Sequence, residues 1–183
     1  WDGIQLGCAT KGASIHNNVI ENYGTINKTY QNNGIQIGAG TGGVCYNNLI
    51  RNGTGNGLIV NGLGDNVIYN NVIDHPGTNG VFCDERYSPG PGFKFINNTI
   101  ISPSWDGIKI YADEVPMNVI VNNIITNPGN YFAYASPEDA FVHKLNSSVN
   151  IDMKNNYFNI DTAAVQLTSM IDSNYRLAST SPV

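Results

Sequence analysis

Asn70-Asn71-Val72-Ile73-Asp74-His75-Pro76-Gly77-Thr78-Asn79-Gly80-Val81-Phe82-Cys83 holds two short apolar segments, the first introduced by an Asn pair and the second by Asn-Gly. The first half returns as Asn17-Asn18-Val19-Ile20, Asn47-Asn48-Leu49-Ile50, Asn97-Asn98-Thr99-Ile100, Asn122-Asn123-Ile124-Ile125 and, more weakly, Asn155-Asn156-Tyr157-Phe158. Successive copies start 30, 23, 27, 25 and 33 residues apart, a period that belongs to stacked repeats and not to one globular core. The second half returns as Asp2-Gly3-Ile4-Gln5-Leu6, Asn33-Gly34-Ile35-Gln36-Ile37, Asn56-Gly57-Leu58-Ile59-Val60 and Asp106-Gly107-Ile108-Lys109-Ile110.

Nine residues separate the Asn pair from the Asn/Asp before Gly in the units that begin at Asn47, Asn70 and Asn97, so one corner has constant length. The other side varies between 14 and 18 residues, as expected where loops project from one flank of a stack. Alternation makes the units strands: Ile35 and Ile37 share a face and Gln36 takes the other. The same rule puts Ile15, Cys45, Ile68, Phe95, Ile120 and Met153 in one inward column, with His16, Tyr46 and Tyr69 in the outward one. A lone unit cannot bury its apolar side, so each strand pairs in parallel with its copy one coil on, at ~4.8 Å. At roughly 25 residues per coil the chain makes about seven coils. Gly is expected to supply backbone freedom at its corner.

The repeat resembles the right-handed parallel β-helix of secreted polysaccharide lyases, glycoside hydrolases, epimerases and phage tailspikes, over nearly the whole chain. The resemblance implies an all-β, right-handed, single-stranded parallel β-helix, and an extracellular, periplasmic or cell-surface protein of bacterial type. It implies a polysaccharide or oligosaccharide as partner. Residues 1–183 read as a single domain, a fragment of a longer chain that opens inside a repeat at Trp1-Asp2-Gly3-Ile4 without a secretory signal. An irregular insertion is expected at about 128–150, in which Asn130-Tyr131-Phe132-Ala133-Tyr134 approximates the Gly-strand position and residues 136–144 form a loop or short helix. A closing segment follows at about 171–183.

Composition narrows the partners. Nine Lys plus Arg stand against fourteen Asp plus Glu, a net charge of −5, with no basic stripe for nucleic acid. No apolar segment is long enough to span a bilayer. Cys45 and Cys83 fall in inward columns and read as buried free thiols, while a disulfide to Cys8 stays open. His16, His75 and His143 read as surface or corner residues, and His16, Tyr46 and Tyr69 as an outer stripe that either binds sugar or steadies the sheet.

Charge is scarce, at 13% of residues, so its clustering is informative. Aligning Gly80-Val81-Phe82-Cys83 with Gly107-Ile108-Lys109-Ile110 sets Asp84 beside Tyr111 and gathers Asp84, Glu85, Arg86, Tyr87, Lys109, Tyr111, Asp113 and Glu114, with Trp105 close by. Phenols, an indole and opposite charges suit a sugar polymer, which offers hydroxyls and apolar ring faces. Elimination from a uronic-acid polymer needs a partner for the carboxylate, a base for the C5 proton and an acid for the leaving oxygen. Similar β-helix lyases use Lys or Arg as base and Arg or a metal as carboxylate partner. Carried to this chain, that makes Lys109 the base and Arg86 the carboxylate clamp, with Tyr87 or Tyr111 as the acid. Asp84, Glu85, Trp105, Asp113 and Glu114 become substrate contacts. Glycoside hydrolysis by a carboxylate pair drawn from Asp84, Glu85, Asp113 and Glu114 is the alternative chemistry. A non-catalytic binding or adhesin module is the alternative class. The plainer reading of the same charges is a set of exposed ion pairs worth ~0–1 kcal/mol each. No cofactor is expected, and calcium would require an ad hoc site such as Asp84 with Glu85.

Overall fold

A computed structural model describes residues 1–7, 11–26, 29–62, 65–84, 90–169 and 174–183. Three parallel sheets of six strands each wrap one apolar interior. The first sheet stacks Ile4–Leu6, Ile35–Ile37, Leu58–Val60, Val81–Asp84, Ile108–Tyr111 and Val142–Lys144. The second stacks Ala13–His16, Gly43–Tyr46, Val67–Tyr69, Lys94–Ile96, Asn118–Val121 and Ile151–Lys154. The third stacks Val19–Glu21, Leu49–Arg51, Val72–Asp74, Thr99–Ile101, Ile124–Thr126 and Tyr157–Asn159. Register follows the repeat: Val81 pairs with Ile108 and Asp84 with Tyr111. Six rungs are fewer than the seven or so expected, because the chain after Asn159 leaves the parallel stack for a short 3-10 turn and an antiparallel hairpin, Leu167–Ser169 with Asn174–Leu177.

The Asn pair splits into two functions. The first member turns the chain: Asn17, Asn47, Asn70, Asn97, Asn122 and Asn155 all have φ between 53° and 57°, a left-handed conformation that Asn tolerates best after Gly. The second member points inward and builds a ladder. Asn48 Nδ2 donates to Asn71 Oδ1 at 2.9 Å, Asn71 Nδ2 to Asn98 Oδ1 at 3.0 Å and Asn98 Nδ2 to Asn123 Oδ1 at 3.0 Å. Each Oδ1 also accepts the backbone N–H of the Asn one coil earlier, so a buried turn keeps its polar groups satisfied.

The glycine before each first-sheet strand is required for close approach. Gly3, Gly34, Gly57, Gly80 and Gly107 do not have the left-handed φ anticipated for a corner. A Cβ on Gly57 would lie 2.3 Å from Ile73 Cγ2 and 2.7 Å from the Gly80 carbonyl oxygen. The inward column is buried from Ile15 to Ile120, with Cys45, Ile68, Phe95 and Ile120 fully so. Met153, expected there too, is 50% exposed, because its strand is the last in its sheet and no further coil covers it. Cys45 and Cys83 are buried free thiols, and burial pushes the Cys45 thiol up to about 12. Cys8 lies outside the described residues.

The irregular stretch holds the short helical turn expected after Ser136 but departs from expectation on either side of it. Residues 130–134 are not a strand; Gly129–Phe132 and Pro137–Ala140 are 3-10 turns, and the strand of this coil is Val142–Lys144. Phe141 takes the glycine position, its carbonyl accepting from Ile108 N–H as the Gly107 carbonyl accepts from Val81. A bulky residue fits there because the strand it introduces is the last in the first sheet, so no carbonyl of a further rung approaches its Cβ, and its ring stacks on Phe158 at 5.2 Å. Among the described residues no helix is long and apolar enough to cross a membrane.

Candidate functional site

Register on the first sheet sets Gln36, Ile59, Phe82, Lys109 and His143 in one outward column across successive coils. Beside it runs a second amide ladder from the Asn/Asp that precedes each Gly. Asn33 donates to Asp2, Asn56 to Asn33 and Asn79 to Asn56, with Nδ2 to oxygen distances of 3.0, 2.9 and 2.9 Å. Gln36, Ile59, Phe82 and Lys109 of the first column and Asn33, Asn56 and Asn79 of the second floor an open cleft of about 540 Å³, bordered by Tyr30 at one end and by Trp105 and Tyr111 at the other, with His143 one rung beyond that end.

At that end the ladder carries Asp106 where three preceding coils carry Asn. Its carboxylate is fully buried. Asn130 Nδ2 donates to Oδ1 at 2.8 Å, the Tyr134 hydroxyl lies 3.0 Å from both oxygens, and Lys109 Nζ is 3.4 Å from Oδ2. The Lys109 ammonium also sits 5.5 Å from the Tyr111 ring centroid, within cation–π range. Tyr134 is pushed up to about 12, by burial first and then by the Asp106 carboxylate that accepts its hydrogen bond. The Tyr134 ring stacks on His143 at 4.8 Å, Tyr111 stands 6.5 Å from the same imidazole, and the Phe82 ring meets Tyr111 edge-on at 5.4 Å.

Of the residues singled out from sequence, Lys109, Tyr111 and Trp105 converge on this cleft. Asp84 lies in register with Tyr111 but is buried, and it is not on the cleft wall. Asp113, held by Asn146 at 2.7 Å, and the exposed Glu114 lie outside the cleft. The two fall beyond the end of their strand, Ile108–Tyr111, where the in-register alignment no longer applies. Glu85, Arg86 and Tyr87 lie outside the described residues. Asp106, Tyr134 and His143 join the cluster without having been anticipated. An Asp in a column of Asn was a visible signal for the first. His143 was hidden because its strand lacks the Asn-Gly introduction. Among the described residues no three His, Cys, Asp or Glu side chains come together in a way that would hold a metal ion.

The outer stripe of the second sheet is also formed. His16, Tyr46 and Tyr69 stack at 4.8 and 4.7 Å with nearly parallel planes. Their ring faces cover one another, which steadies the sheet and leaves few faces for sugar.

A family model described as a right handed beta helix region matches residues 1–158. The chain belongs to this right-handed β-helix family. Nothing among the curated proteins or the solved structures matches it. Lyases, hydrolases and adhesins share this fold, so the β-helix places the cleft without choosing its chemistry.

Proposed function

We propose that this β-helix is a secreted polysaccharide lyase that takes a uronic-acid-containing polymer along the first-sheet cleft and breaks it by β-elimination. The observation that carries the reading is the meeting of one cation, Lys109, with Trp105, Phe82 and Tyr111 on a cleft that runs across several coils. Aromatic faces suit sugar rings, the amide column and Gln36 suit hydroxyls, and the ammonium suits a uronate carboxylate. Because Lys109 is already paired with Asp106, its best role is partner to the carboxylate, not base. A carboxylate pair for glycoside hydrolysis finds less support, since Asp106 and Asp84 are both buried. The same ion pair favours a second reading, a non-catalytic sugar-binding module, because the only described charges at the cleft end balance each other.

Incubation with polygalacturonate or alginate, followed by the ultraviolet absorbance of the unsaturated product, tests the first reading. Lys109→Ala is expected to lower the rate ~10²-fold or more with the fold retained. Binding of the same polymers without any unsaturated product would establish the second reading in its place.

A further inference from the structure

We infer that His143 is the general base of this elimination, with Tyr111 as the acid; the inference rests on the lyase reading above. His143 leaves the first sheet on the same face as Lys109, its register partner on the adjoining strand, so the two side chains start ~4.8 Å apart. The imidazole is held in place. Tyr134 stacks on it, and the hydroxyl of Tyr134 is itself fixed by both oxygens of Asp106. The Tyr111 ring lies 6.5 Å from the imidazole. Nδ1 of His143 is buried without a hydrogen-bond partner while the residue as a whole is partly exposed, which leaves Nε2 as the nitrogen a ligand reaches. The titratable and charged groups around the ring are Lys109, Asp106, Tyr111 and Tyr134. Of these, Lys109 and Asp106 hold each other, and Tyr134 is committed to Asp106.

A uronate ring with its carboxylate on Lys109 presents its C5 proton to the neighbouring rung. His143 Nε2 takes that proton, the C5–H electron pair becomes the C4=C5 double bond, and the C4–O bond breaks. The Tyr111 hydroxyl gives its proton to the departing oxygen. Imidazolium and phenolate then re-equilibrate through solvent, so no oxidant, reductant or further reactant is required.

The test uses the full chain on polygalacturonate and alginate. In His143→Ala and His143→Gln, kcat is expected to fall ~10²–10⁴-fold while polymer affinity changes little. Added imidazole should restore part of the His143→Ala rate, in proportion to the free base added. Wild-type turnover together with full kcat in both variants overturns the assignment and leaves the lyase reading intact, and a loss confined to KM does the same. No unsaturated product from the wild type overturns both. If neither variant folds, a wild-type profile with no acid limb overturns the assignment alone.

Discussion

Asn70 and Asn71 are chemically identical neighbours, yet one is exposed at a φ of 57° and the other is 1% exposed with its amide shared among Asn48, Asn98 and two backbone carbonyls. A β-branched residue at Asn70 meets the left-handed penalty, so Asn70→Val is expected to lower stability by ~1–2 kcal/mol. Asn71→Ala leaves the backbone N–H and amide of Asn48 without their acceptor, and it should lower stability by ~2 kcal/mol or more. Urea denaturation of the two variants checks the order, and an Asn71→Ala that loses less than Asn70→Val would contradict the ladder as the larger contribution. The Asn pair was legible in the sequence as a corner. Which member turns and which bonds was not, since only the coil above and the coil below distinguish them. Gly57 teaches the same lesson: a glycine was foreseen, but the neighbour that forbids a Cβ, Ile73 Cγ2, comes from a strand 16 residues later.

Strands that repeat the Asn-Gly signal were legible, because alternation alone fixes which side chains face in. Val142–Lys144 was not, because Phe141 stands where Gly should be and an excursion of 3-10 turns separates the strand from Asn130. That excursion brings Tyr134 and Asn130 onto Asp106 and seats His143 beside Lys109, so the element hardest to read is the one that completes the cluster around Lys109. Asp106→Asn restores the amide found at Asn33, Asn56 and Asn79. The fold should survive within ~1 kcal/mol, while Lys109 loses its anchoring carboxylate and, on the proposed lyase reading, turnover should fall. Thermal melting beside polymer-cleavage rates checks this, and an unchanged rate would remove Asp106 from the site.

At the scale of the whole molecule, a thiol and two phenols are held in their neutral forms by the folded state. The folded state raises the Cys45 thiol from 9.0 to about 12 and the Tyr134 and Tyr175 phenols from 10.0 to about 12, with burial the largest cause for each. A group whose folded value is raised gives its full stabilisation below the unfolded value and loses it as pH climbs toward the folded one. Stability should therefore decline from about pH 9 toward about pH 12, the thiol contributing first. Cys45→Ala, weaker at neutral pH because of the cavity it leaves, should show a shallower decline between pH 9.0 and 10.0. Denaturant midpoints across that range decide it, and parallel slopes for the two proteins would clear the thiol of any part in alkaline unfolding.

The closing hairpin does not end where the stack ends. Its Tyr175 hydroxyl donates to Asp74 Oδ2 at 2.8 Å, across 101 residues of chain. A solenoid ordinarily frays from its tips, each rung held only by the next. Here the tail is buckled to the third rung of its sheet, so tension on the C-terminus must first open that clasp before the last coil can peel away.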